Sequence, residues 1–259
     1  VGFSIKAEPS EGADSFEPAE TQESSDELIR SWWIAFVRKS DSVVVDIAEG
    51  VSSGVYEDNV EAILPEDDYY AYAFANISRE ELYDNTGLQF VIGQNSPQHS
   101  EIKDAIWQDM KNDEERADGI PMSGWRSVTV KGHVSERFAI EVVRMWAKVE
   151  FCFKNESGAD IMVKSVDFGP LCSGPIPLMP DALNENQAPD ILEGCGDGRV
   201  LHFFGDGIIV PTGGGEIKRG KMFVRESVAD SDPTGHFNFT LSVTRAGKDN
   251  EEVMFAVAD

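Results

Sequence analysis

Apolar residues fall at every second position through long stretches of this chain, and that period predicts most of its architecture. From Arg137 to Lys154 there is no Gly or Pro. Ala139, Val143, Met145, Ala147, Val149, Phe151 and Phe153 share one face, with Glu141 the single interruption. On the other face Phe138, Ile140 and Val142 are apolar, while Arg144, Lys148, Glu150 and Lys154 are polar. Alternation of this kind predicts β-strand. At about 3.3 Å per residue the stretch would span about 60 Å, two or three times a usual strand. The pattern therefore predicts one extended strand that passes between two environments, with a domain junction at its start. An N-terminal domain over 1–138 and a C-terminal domain over 139–259 are expected.

The same signal recurs along the chain. Val1, Phe3 and Ile5 alternate with smaller or polar residues, predicting a short strand over 1–8 with one buried face; residues 9–27 then shift to Glu, Ser, Pro and Asp, the composition of an acidic connector. Ser31–Arg38 is apolar on both faces and predicts a central strand, with the following SDSVVVDIAEG as its hairpin partner. Tyr70, Tyr72 and Phe74 alternate with Ala71, Ala73 and Ala75, which suits a sheet packed closely on another layer. LQFVIG reads as a further strand, and IMVKSVDF as the hairpin partner of the long strand before it. Ser78 and Glu81 open a helix with a capping pattern. Ile102, Ile106, Trp107 and Met110 predict a helix over 100–115, ended by Gly119 and Pro121. The chain closes on a hairpin whose first arm alternates Phe237, Phe239, Leu241 and Val243 with polar residues and whose second arm carries Val253, Phe255 and Val257. About a dozen strands, one clear helix in the N-terminal half and no βαβ rhythm predict an all-β pair of sandwiches.

Composition changes this picture mainly by exclusion. The 259 residues carry 47 acidic and 22 basic side chains, a net charge of −25 that opposes nucleic acid and anionic lipid surfaces. At 41% hydrophobic and 10% aromatic the chain can bury a core in each of two domains. His99, His133, His202 and His236 are scattered without partners at ligand spacing, and neither an EF-hand loop nor a nucleophile elbow occurs. No cofactor, metal or catalytic activity is expected. Gly213-Gly214-Gly215 lacks the helix and Lys of a phosphate loop and reads as a turn. Cys172 and Cys195 lie in loop-like sequence and are candidates for a disulfide, whereas Cys152 sits mid-strand. Trp32, Trp125 and Trp146 could stack on sugar rings or fill the core.

Pro121-Met122-Ser123-Gly124 and, further on, Arg144, Ala147, Lys148 and Val149 resemble the paired signature of the Bacteroidales fimbrillins, the subunits of type V pili. The resemblance implies two transthyretin-like β-sandwich domains, a lipoprotein leader upstream of Val1 and a place on the outer membrane or in a fimbrium. It implies assembly with other pilin subunits, in homo- or heteropolymers, by strand exchange: a protease cuts after a basic residue, the first strand (Val1, Phe3, Ile5) leaves, and a neighbour's strand replaces it. Here the last hairpin is the expected donor. Between Ala7 and Ile29 there is no Lys or Arg, so the candidate cleavage points are Lys6 and Arg30. In the same family context Asp41-Ser42-Val43 fits an O-glycan site at Ser42, and it also fits a plain hairpin turn. The alternative is a monomeric surface lipoprotein that uses this fold to bind a glycan or another host ligand.

Overall fold

The computed structural model describes residues 2–7, 28–107, 119–132, 136–171, 176–179, 199–203, 207–213, 217–225, 238–245 and 251–256. These fall into two compact units, and the chain passes from the first to the second between Met145 and Trp146. Sixteen strands and two short helices make the described residues mostly β.

The first unit holds β1 (Gly2–Ala7), β2 (Ile29–Arg38), β3 (Val44–Val55), β4 (Glu57–Glu61), β5 (Asp67–Ala75), α1 (Arg79–Thr86), α2 (His99–Lys103), β6 (Ile106–Trp107), β7 (Met122–Val130) and β8 (Arg137–Arg144). Seven of these strands form one sheet in the order β3-β2-β5-β7-β8-β1-β4. The two ends of that order are consecutive in the chain, with Tyr56 alone between β3 and β4. The sheet therefore curls until its last strand is the continuation of its first. Its interior is a single apolar cluster to which β1 gives Phe3 and Ile5, β2 Ile34 and Phe36, β4 Val60, β5 Ala71, Ala73 and Ala75, β7 Met122 and Val128, and β8 Ile140 and Val142. The small β5 alanines face inward, and the larger Phe and Ile side chains occupy the room they leave.

The opposite face of β5 carries the aromatics, covered by the crossover through α1 and α2. Trp33 stacks on Phe74 at 4.3 Å, and Phe90 packs on Trp33, Tyr72 and Phe74. The segment LQFVIG thus covers the sheet without forming a strand, because Phe90 is buried against ring faces. As its sequence predicts, α1 is capped by Ser78, whose Oγ accepts from the Glu81 N–H at 3.0 Å; Gly87 ends it in the left-handed region.

The second unit comprises β9 (Trp146–Phe153), β10 (Ile161–Leu171), β12 (Arg199–Phe203), β13 (Ile208–Val210), β14 (Ile217–Arg225), β15 (Asn238–Arg245) and β16 (Glu251–Ala256), whereas β11 (Ile176–Pro177) returns to the first unit and pairs with β6. One sheet runs β12-β10-β15-β16 with β13 also on β10; β9 pairs with β14.

Four expectations are corrected. The long strand over Arg137–Lys154 is two strands, β8 and β9, broken at Met145, whose N–H is diverted to Pro121 O at 2.9 Å. Residues 139–144, assigned to the second domain from periodicity, lie on β8 in the first unit's sheet, and Met145 belongs to the same unit. β10 is no hairpin partner of β9; it pairs with β15, β12 and β13. Of the helix expected over 100–115, the described residues hold only α2, which stops at Lys103 because Ile106 and Trp107 are drawn into a ladder with Pro177 and Ile176; residues 108–115 lie outside the described residues.

Candidate functional site

β1 joins the curled sheet from outside the local sequence, and it fills a slot between β8 and β4. It runs parallel to β8, with Phe3 opposite Phe138, Ile5 opposite Ile140 and Ala7 opposite Val142. Against β4 it is antiparallel, with Phe3 opposite Val60 and Ile5 opposite Asp58. Ile5 is fully buried and Phe3 nearly so; the Phe3 ring lies 4.8 Å from Phe36 and 5.6 Å from Phe138. Burying two such side chains contributes roughly 1.5–3 kcal/mol each. Ser4 and Lys6 point the other way, half-buried and exposed. The slot is therefore filled by an extended segment with two large apolar residues two positions apart.

The walls of the slot are held independently of β1. β8 is laddered to β7 through Met122–Arg144 and Ser123–Val143. β4 is tied to β3 through Tyr56, and the Trp32 indole Nε1 donates to Asp58 Oδ2 at 2.8 Å. Both edges that hydrogen-bond β1 keep another attachment.

The two halves of the sequence signature meet beside this site. Met122 and Arg144 are cross-strand partners, and Met145 N–H bonds Pro121 O. Met122 and Ser123 are fully buried, and the Ser123 hydroxyl donates to Leu178 O. Gly124 is obligatory for packing, since a Cβ there would lie 2.0 Å from the Glu141 carbonyl oxygen. Ala147, Lys148 and Val149 lie beyond the break, on β9, opposite Val224, Phe223 and Met222.

Lys6 and Arg30 both sit inside paired strands. Lys6 is opposite Glu57 and Glu141. Arg30 N–H donates to Asn76 Oδ1 at 2.9 Å, and Asn76, buried with φ 57°, also donates to Leu28 O and Ile120 O. Phe239, Leu241 and Val243 lie on β15, opposite Phe255, Val253 and Glu251 of β16. Val1, Phe237, Val257, Cys172 and Cys195 lie outside the described residues. Ser42 is half-buried in the β2–β3 turn with φ 57°, its N–H bonded to Arg38 O. Of the three tryptophans, Trp32 and Trp146 are buried and Trp125 is half-buried.

Two features carried almost no sequence signal. β4 (EDNVE) has one inward apolar residue, Val60, so alternation does not reveal it. The second is a cluster of Tyr70, Tyr72, Trp125 and His99 on the outer face of β5 and β7, gathered from three separate elements. Within it, burial pushes the Tyr72 hydroxyl far above its ordinary pKa, and burial, then the charges of Lys103 and Lys39, hold His99 below its own. Among the described residues no group of three His, Cys, Asp or Glu could hold a metal ion, and no helix is long and apolar enough to cross a membrane.

No protein-family model matches the sequence, and no curated protein does. Solved structures do match in fold. A protein from Parabacteroides distasonis described as a cell adhesion protein aligns at TM-score 0.58 and 13% identity over 98% of this chain and 78% of its own. The tip fimbrial protein Mfa3 of Porphyromonas gingivalis, C-terminally truncated, aligns at TM-score 0.53 and 12% identity over 100% and 82%. A fimbrial assembly protein from Parabacteroides distasonis aligns at TM-score 0.50 and 13% identity over 99% and 85%. The alignments span both units and agree with the resemblance carried by the signature residues: the chain has the fold of these Bacteroidales fimbrial and cell-adhesion proteins.

Proposed function

We propose that this chain is a fimbrillin-type subunit with a structural or adhesive role in a cell-surface fimbrium, built of two transthyretin-like β-sandwich domains and exported as a lipoprotein precursor to the outer membrane. Its role is assembly and binding rather than catalysis, and its partners are other fimbrial subunits. The observation that carries this reading is the position of β1: an internal strand, buried through Phe3 and Ile5, between two neighbours that are each anchored elsewhere. A strand so placed can be exchanged for another chain's strand of the same pattern, because the unpaired edges left behind are a template for β-addition. β16 offers Val253 and Phe255 at the same two-residue spacing, and among the described residues it has one strand partner, β15. Fold similarity to the tip fimbrial protein and the fimbrial assembly protein supports the assignment.

The test is electrophoresis of unboiled surface material from the native cell, probed with an antibody to this chain. Bands of high mass that collapse to monomer on boiling are expected. A single monomer band before boiling would contradict the fimbrial reading and leave the monomeric ligand-binding lipoprotein.

A further inference from the structure

The outer face of β5 and β7 carries aromatic and basic side chains for which the slot has no use. His99 stacks on Tyr70 at 4.0 Å with an interplanar angle of 1°, meets Trp125 edge-on at 4.5 Å, and shares a 2.7 Å hydrogen bond between its Nδ1 and the Tyr72 hydroxyl. Tyr72 is buried; Tyr70, Trp125 and His99 are half-buried and form a braced aromatic surface. Two lysines overlie it. Lys39 Nζ sits 4.7 Å from the Tyr70 ring centre and donates to Ser127 Oγ at 2.5 Å, and Lys103 Nζ sits 5.5 Å from the Trp125 ring centre.

Neither ammonium group has a carboxylate partner among the described residues. With 47 acidic side chains to 22 basic ones, two lysines without such partners at one aromatic patch are the opposite of what composition favours. Asp68, two residues along β5 from Tyr70, is bonded by the Thr129 hydroxyl.

We propose that this patch is a binding site for an acidic saccharide, whose ring lies on Trp125, with the Tyr70 ring inclined to it at 72°, and whose carboxylate is held by Lys39 and Lys103. The apolar C–H face of a pyranose matches an aromatic surface, and the carboxylate supplies the anion that the two ammonium groups lack. A lysine lying over a ring at an exposed site is only weakly held. A sugar can therefore displace it from the ring while its flexible stem keeps the ammonium within reach of the ligand's acid group. A neutral sugar would gain the stacking and lose the charge pairing. The site goes beyond the fimbrial reading and does not depend on strand exchange, because every residue in it lies on β5, β7, α2 or the β2–β3 turn.

The test is calorimetric titration of the full chain with tetragalacturonate and with sialyllactose, set beside methyl-esterified tetragalacturonate and lactose. Saturable binding of at least one acid is expected, with its neutral counterpart at least about tenfold weaker. The Lys39→Gln, Lys103→Gln double variant, which changes only surface groups, should lose about tenfold in affinity for the acid, and Trp125→Ala should lose a similar factor while keeping the native circular dichroism spectrum. Equal binding of acid and neutral sugar, unchanged affinity in the lysine double variant, or no binding of either acid would each overturn the proposal.

Discussion

The indole of Trp32 and the carboxylate of Asp58 are joined by a 2.8 Å hydrogen bond. β2 and β4 stand five places apart in the sheet order, and this bond joins them across the seam where the sheet curls back on itself. The bond fixes one wall of the β1 slot. Replacing Asp58 by Ala should cost about 1.5–3 kcal/mol, the range for a hydrogen bond to a charged group. The urea midpoint would fall with little change in slope. Asp58→Asn, which keeps an acceptor, should recover most of the loss, and a neutral Asp58→Ala would show that this bond does not hold the seam.

Gly124→Ala should be costly although it adds one methyl group. The clash is with the Glu141 backbone carbonyl, which cannot swing aside as a side chain would. A loss of about 3 kcal/mol is expected, read as a fall in melting temperature. A variant as stable as the parent would mean that β7 and β8 are free to separate there.

His99 makes stability depend on pH. Its folded-state pKa lies below the ordinary 6.5, so the folded protein resists its protonation more than the unfolded chain does. The stability it contributes is complete above pH 6.5 and is lost as the pH falls from there through the lowered pKa. Melting temperature measured from pH 7.5 down to 5 should drop more steeply in the parent than in His99→Gln. Parallel curves would show that His99 does not titrate against this surface.

Much of the first unit was legible in the sequence because its strands alternate cleanly and pair with near neighbours. β2 and β3 form the expected hairpin, β5 divides its alanines and aromatics between two faces as its period requires, and Ser78 caps α1. What alternation cannot report is a change of partner that leaves the period intact. The apolar pattern runs unbroken through Met145, yet the backbone there turns to Pro121 and the next strand pairs with β14. Likewise Ile106 and Trp107 fit a helix by spacing and form a strand because Ile176 and Pro177, far along the chain, offer a ladder. The slot was half legible. Phe3 and Ile5 marked the strand that fills it, but the β4 wall has a sequence too polar to announce itself, and its role comes from the bend at Tyr56.

On the proposed function, the slot between β8 and β4 accepts a strand from another chain when β1 is released. Because Lys6 and Arg30 both lie in paired strands, the direct measurement introduces a recognition sequence for a site-specific protease within residues 9–27, cleaves the purified protein and follows it on unboiled SDS gels. A ladder of SDS-resistant oligomers is expected, appearing only after cleavage and suppressed by an excess of a synthetic peptide spanning residues 1–8. A single monomer band after complete cleavage, with or without β1 still bound, would contradict it.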